Sequence, residues 1–444
     1  MTEPAARFRD VLAVREFRFL WLAQAQSRVG DQIARVAVAL LVFERTDSAA
    51  LTALTYALTY LPPLITAPLL AGLADRYSRR AVMVAVDLLR AVLIGAMAVP
   101  GLPLPVVAVL LVAVTCPEPL FSAARIATVP KALPGNLFPV GMSIATSTDQ
   151  IAQIAGFALG GVIVNAYGPH TALAVNAATF LVSAALLQFG IGPHVPEHDD
   201  PSSRRGSGFA LAGIRLVVGD KRLLAIAGLV WLVGLYVVAE ALAAPYAAEI
   251  GAGRESVGLL MSSIVIGTAV GALLVARLGT EWRRRLTVPL AVAAGLALAA
   301  TAVAPPLWAT FALWTLAGVC HAYIVLAQVR FTLFIPDGMR SRAIGFAAAG
   351  LQTAQGLGIA LGGLLAQALS PSLAIGICAA TGALTALVIG LASREAVDLF
   401  GGAARRSAER VRVRQQPPDR EVPGRTETAV APLRVETTSD DQRV

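Results

Sequence analysis

Apolar residues along this chain gather into long runs divided by short polar gaps. A bilayer core of about 30 Å takes roughly 20 apolar residues in a helix. Candidate spans fall near residues 17–43, 49–73, 81–100, 103–127, 138–165, 170–191, 221–247, 255–277, 286–304, 307–330, 341–368 and 372–392, twelve in all. The connection over 192–220 contains "GPHVPEHDDPSSRRGSG" and reads as a polar linker leading into a short amphipathic surface helix through Ile214 and Leu216. It divides the chain into six spans and six. From about Gly401 the apolar content falls away in favour of Arg, Glu, Pro and Thr, which predicts a disordered tail. The expected layout is a first bundle over 1–191, a cytoplasmic linker over 192–220, a second bundle over 221–397 and a cytoplasmic tail over 398–444.

The charge pattern orients the spans. Of all residues 56% are hydrophobic and 14% charged, against about a quarter charged in soluble domains. The net charge of +8 does not point to nucleic acid, because ten arginines lie at or beyond Arg394 and most of the rest occupy short gaps. Alternate gaps are basic: one set holds Arg76, Arg79, Arg80, then Lys131, then Arg204, Arg205, Arg215, then Arg283 to Arg285, then Arg340. The other set holds only Arg45 and Arg254. The positive-inside rule places the first set and both termini in the cytoplasm, in the plasma membrane of the cell. The opening arginines (Arg7, Arg9, Arg15, Arg18) and the lack of a small-residue cleavage site make the first span an uncleaved targeting signal. Cys116, Cys320 and Cys378 sit in separate apolar runs and read as small buried hydrophobes, with no metal-ligand spacing.

The halves repeat one another. "DQIAQIAGFALGGVI" (149–163) aligns without gaps on "LQTAQGLGIALGGLL" (351–365) at an offset of 202, setting Gly156, Gly160 and Gly161 over Gly358, Gly362 and Gly363. Pro134 falls over Pro336 at the same offset, and an offset of 204 sets Val29 and Gly30 over Val233 and Gly234, and Arg79 and Arg80 over Arg283 and Arg284. An even number of spans per half makes the repeats parallel, with a cavity expected between them near the midplane. The small residues at i, i+4 are read first as close-packing positions between helices.

The first span carries charges that a lipid-facing helix would not. At about 100° per residue, Gln24, Arg28, Asp31 and Arg35 fall within about 60° of one another, a single stripe. Each charge at the centre of a span costs on the order of 2.5–3.5 kcal/mol, so the stripe is expected to line a water-filled cavity, with Asp31 one turn from both arginines. Similar stripes combine Glu118, Ser122 and Arg125 in span 4, Asp149 and Gln153 in span 5, and Tyr236 and Glu240 in span 7. Glu118 lies between Pro117 and Pro119, where missing backbone donors loosen the helix. A desolvated carboxyl holds its proton more readily and a neighbouring arginine opposes this; on that ground Glu240 and Glu118 rank ahead of Asp31 and Asp149 as proton carriers. His321 stands apart from acids in the sequence and reads as a packing residue, while Phe17 to Trp21, Trp231, Tyr236 and Tyr323 are candidates for contact with an aromatic or amphipathic ligand.

Between spans 2 and 3 stands "GLADRYSRR", Gly72 to Arg80. With the duplicated twelve-span layout it resembles the cytoplasmic loop signature of the major facilitator superfamily, over about residues 10–395. "FRFLWLAQAQSRVGDQIARVAVALLVF" followed by "DLLRAVL" resembles the drug and siderophore exporter branch, which includes macrolide efflux proteins and the enterobactin exporter. The resemblance implies an all-α integral membrane protein of the major facilitator fold, two parallel-repeat six-helix bundles that alternate access. It also implies a loop latch at Gly72, Asp75, Arg76, Arg79 and Arg80, with Asp87 and Arg90 as partners in the same cytoplasmic network. The Gly-Pro pair that antiporters of the superfamily often show in span 5 is missing, since "GFALGG" has no proline.

The function expected is proton-coupled efflux of a hydrophobic or amphipathic small molecule such as a drug, antibiotic or siderophore. Uptake or lipid translocation by the same fold is the alternative. A membrane-embedded enzyme or sensor is the remote one, since no HExxH, GxSxG or phosphate-cradling GxxxxGK[ST] motif occurs. The chain is expected to act as a monomer among membrane lipids, without nucleic acid, metal or organic cofactor, driven by an ion gradient.

Overall fold

The computed structural model describes residues 8–192 and 207–414; Arg204 and Arg205 of the linker and the tail from 415 lie outside the described residues. No strand occurs among the described residues. Span 1 is Arg15–Thr46, preceded by the short helix Phe8–Ala13. Span 2 is Ala49–Ala57 with Leu61–Arg76, span 3 is Arg79–Met97, and span 4 is Leu104–Thr115 with Glu118–Ala132. Spans 5 and 6 are joined as Leu137–Gly190, turned at Gly168, whose φ of 82° only glycine adopts freely, just before Pro169. After the helix Ser207–Gly219, span 7 is Lys221–Trp231, Val233–Tyr236, Val238–Ala241 and Ala243–Glu249. Spans 8 to 12 follow as Glu255–Ala276, Thr280–Ala299, Leu307–Cys320 with Tyr323–Phe334, Arg340–Ala368 and Pro371–Arg414.

Nine helices among the described residues are long and apolar enough to cross a membrane. One of these is the joined pair of spans 5 and 6, and spans 1 and 3 fall outside the set because of their charges, so the helices again number twelve. Span 4 breaks at Cys116 and Pro117, and span 10 at His321 and Ala322, with Cys116 over Cys320 at the 204 offset. Pro117 and Pro119 explain the first break, since neither donates a backbone hydrogen bond. The last helix runs to Arg414, so residues 398–414 are helical rather than disordered: Ala403 to Arg414 is mostly Ala, Arg and Glu, strong helix formers. Residues 1–393 form one compact unit and 394–444 another.

The duplicated glycines sit at matching helix crossings. A Cβ on Gly156 would lie 2.6 Å from the Val29 carbonyl oxygen, and one on Gly160 3.1 Å from the Ile33 Cα, both on span 1. Their counterparts Gly358 and Gly362 press on Gly234 and Val238 of span 7 in the same way. Gly161 and Gly363 instead join the halves, Gly161 against Glu255 and Gly258 of span 8 and Gly363 against Ala50 and Ala53 of span 2. These contacts lie toward the Thr46 end of the bundle. There Arg254 Nε meets Glu44 Oε1 at 2.8 Å, and Gln367 Oε1 accepts from Ser48 Oγ at 2.9 Å.

Candidate substrate cavity

The polar stripe of span 1 survives as one face of a continuous helix, and each of its members reaches a different neighbouring span. Arg125 of span 4 donates through Nη1 to Gln24 Oε1 at 2.6 Å. Arg28 Nε donates to Asp149 Oδ1 of span 5 at 2.8 Å. Asp31 faces Arg90 of span 3 at 3.7 Å. The Arg35 guanidinium lies over the rings of Tyr56 and Tyr60 of span 2, 5.9 and 6.0 Å from their centroids. Asp31 therefore does not hold the two arginines of its own helix, as sequence spacing suggested. Side chains one turn apart on one face point the same way, outward to their partners.

Arg28, Asp31, Arg35, Arg90 and Glu118 line a cavity of about 700 Å³, open solvent included, whose wall also takes in Tyr56 and Asn176, the apolar Val38, Ile94, Leu111 and Val114, and Thr52, Thr55, Thr59 and Thr115. The break in span 4 places Glu118 at the first turn of Glu118–Ala132, facing this space. From the other half, Glu240 accepts a hydrogen bond through Oε2 from Tyr56 OH at 3.2 Å, so the tyrosine under Arg35 also bridges the halves.

Helix, cavity and cross-half seam are the setting for the comparisons with known proteins. The profile of the transmembrane secretion effector family, MFS_3, matches residues 9–416. The chain belongs to this family. No curated protein sequence matches it. Among solved structures, that of the peptide transporter POT in complex with sulfate is similar, with a TM-score of 0.68 and 12% identity over 88% of this chain and 96% of that one. A mutant of the nucleoside transporter NupG matches with a TM-score of 0.67 and 13% identity over 85% and 99% of the two chains. A bacterial homologue of the human lysosomal transporter Spinster, inward-facing and unoccupied, matches at 0.62 and 14% over 85% and 95%. At these identities the likeness shows the fold alone, the helical fold that these three structures share with this chain.

In this member of the secretion effector family, other sequence candidates take different places. Tyr236 does not share the cavity with Glu240: it is 1% exposed, donates to the Ala291 carbonyl at 2.9 Å and stacks on His321. Interruptions at Leu232, Val237 and Leu242 remove the continuous helix on which the i, i+4 argument relied. Gln153 is half-buried on span 5 and, among the described residues, neither lines the cavity nor makes a side-chain hydrogen bond. Phe17 and Tyr323 are packed in the core, and Trp231 donates to the Ala347 carbonyl, so these aromatics serve packing rather than the cavity wall.

The loop network divides as well. Arg79 Nη1 donates to the Ala127 carbonyl at 2.7 Å and Arg80 Nη1 to that of Ile191 at 3.3 Å, cations at helix C-terminal carbonyls. The side chains of Gly72, Asp75 and Arg76 lie outside the described residues. Asp87 and Arg90 do not join that network: Ser183 Oγ donates to Asp87 Oδ2 at 2.5 Å, and Arg90 stacks 4.5 Å over the Phe180 ring as it reaches Asp31. Arg90 stands eleven residues past Arg79, which at 1.5 Å per residue is about 16 Å along the helix, at cavity depth. Sequence reading missed Tyr56 and Tyr60, although two tyrosines at i, i+4 in "TYALTY" were a signal for them.

Proposed function

We propose that this protein is a proton-coupled secondary transporter that exports a hydrophobic or amphipathic small molecule by alternating access, as a monomer in the plasma membrane. The observation carrying this reading is the charged cavity walled by the first half, whose Tyr56 reaches across to Glu240 of the second. With both termini cytoplasmic, as the arginine-rich gaps favour, the Thr46 end faces outward. The seam at Glu44, Ser48, Arg254 and Gln367 is then a closed outer gate, and the conformation opens inward.

Asp31 and Asp149 are held by arginines and serve as structural anchors in this scheme. Glu240 and Glu118 are free of ion pairs among the described residues and carry the proton. Ionised Glu240 accepts from Tyr56; protonation removes the charge that faces Tyr56 and Arg35, which changes what holds the halves together. Purified protein in liposomes should move substrate in response to an imposed pH gradient, and Glu240→Gln should abolish that response while leaving substrate exchange intact. Transport indifferent to the gradient, or a Glu240→Gln and Glu118→Gln pair that respond as wild type does, refutes proton coupling through these acids. Inverted vesicles separate export from uptake.

A further inference from the structure

Two of the three arginines in the cavity wall are engaged with carboxylates, Arg28 with Asp149 and Arg90 with Asp31. Arg35 is not. Its guanidinium rests on the faces of Tyr56 and Tyr60, and among the described residues it makes no hydrogen bond and no ion pair. Glu118, the remaining acid of the wall, also has no partner among the described residues. The two are not equivalent, because a carboxyl sheds its charge by binding a proton whereas a guanidinium stays charged at any pH the protein tolerates. In the proton-loaded state of the scheme above, with Glu118 and Glu240 neutral, the unbalanced charge of the wall is positive.

The other polar groups do not compensate it. Thr52, Thr55 and Thr115 donate their hydroxyl protons to carbonyls of their own helices, Ser48, Leu51 and Val112, at 2.9, 2.7 and 3.0 Å. Ring faces attract a cation but supply only part of what an anion would. Part of the same wall is apolar, with Ile94, Leu111 and Val114.

We infer that the cavity takes an amphipathic organic anion. Its carboxylate, or another delocalised anionic group that a planar guanidinium binds in two-pronged fashion, pairs with Arg35, and its apolar body lies against Ile94, Leu111 and Val114. The inference names the substrate class of the transport site proposed above and rests on that reading for the ligand being the transported one.

Electrostatic preference can be read without knowing the ligand. In a protein with Cys116, Cys320 and Cys378 replaced by alanine, a single thiol is introduced at the cavity wall by Thr59→Cys. The solubilised protein is treated with a methanethiosulfonate bearing a sulfonate and with one bearing a trimethylammonium group, each rate being divided by that for a free thiol in solution. With Glu118→Gln and Glu240→Gln added to reproduce the proton-loaded state, the anionic reagent should be favoured by about tenfold, a modest focusing effect. Arg35→Gln should remove the preference, and Arg35→Lys should keep it, which separates loss of charge from loss of fold. A preference for the cation, a ratio unmoved by Arg35→Gln, or a thiol that neither reagent reaches overturns the inference. No transport occurs in detergent, so an inverted ratio removes the anion and leaves transport standing. Inactive liposomes with the ratio preserved remove transport and leave the anion site.

Discussion

Spans 1 and 7 hold the same place in the two repeats, yet they are built differently. Span 1 is an unbroken helix of 32 residues whose polar face meets spans 4, 5, 3 and 2 in turn through Gln24, Arg28, Asp31 and Arg35. Span 7 is interrupted three times, and the position matching Asp31 is Leu235. Its polar members diverge: Tyr236 turns into its own half to meet Ala291, and Glu240 turns across to Tyr56. A regular helix keeps charges in register for several partners at once, whereas a broken one re-aims each turn separately. The first half thus holds a charged wall in place, while the second presents one acid at the seam.

Substitutions at the glycine crossings test this contrast most severely. Gly358→Ala should lower stability by about 1–3 kcal/mol, the range for overpacking, because its Cβ would meet the Gly234 backbone carbonyl of span 7. Gly160→Ala should cost less, since the atoms it meets on span 1, 3.1 Å away, include a Val36 side chain that can shift. Equal shifts in thermal unfolding would dissolve the distinction. Next in size, Arg28→Gln or Asp149→Asn alone should cost about 1.5–3 kcal/mol, as for hydrogen bonds to charged groups, and the double variant should recover part of the loss. Additive losses would mean that the pair is not coupled.

Smaller effects sharpen the functional side. Tyr56→Phe and Tyr236→Phe should each cost about 1 kcal/mol, one hydrogen bond apiece. Only Tyr56→Phe should alter the pH dependence of transport; an altered profile in Tyr236→Phe would extend the coupling to the packed contact with Ala291. Smallest is Arg254→Ala at the exposed ion pair with Glu44, under about 1 kcal/mol and weaker still at high salt. Its check is a comparison of unfolding temperatures in low and high salt.

Much of the fold was legible because a helix in a bilayer needs a length and a composition, and both are written along the chain. The stripe on span 1 was legible because angular position follows from residue spacing. Its partners were not, since nothing local distinguishes Asp149 from Asp31 as the acid for Arg28, and only the packing of spans 1 and 5 around Gly156 decides it. Asp87 and Arg90 were assigned to the loop by proximity in sequence, while their height along span 3 delivers them elsewhere. The breaks in span 7 were hidden because the apolar run of Val, Leu and Ala continues across them and the backbone at Leu232 and Val237 stays right-handed helical.

The seam between spans 5 and 8 has one more consequence. Where Gly161 faces Gly258, backbone lies against backbone with no interlocked side chains, each Cβ-free surface fitting under the other. Such faces can part and meet again without any rotamer having to change, so under the alternating access proposed above this stretch would serve as a smooth bearing between the halves. A larger residue at either position would act as a wedge, fixing how far the mouth stays ajar rather than what the cavity holds.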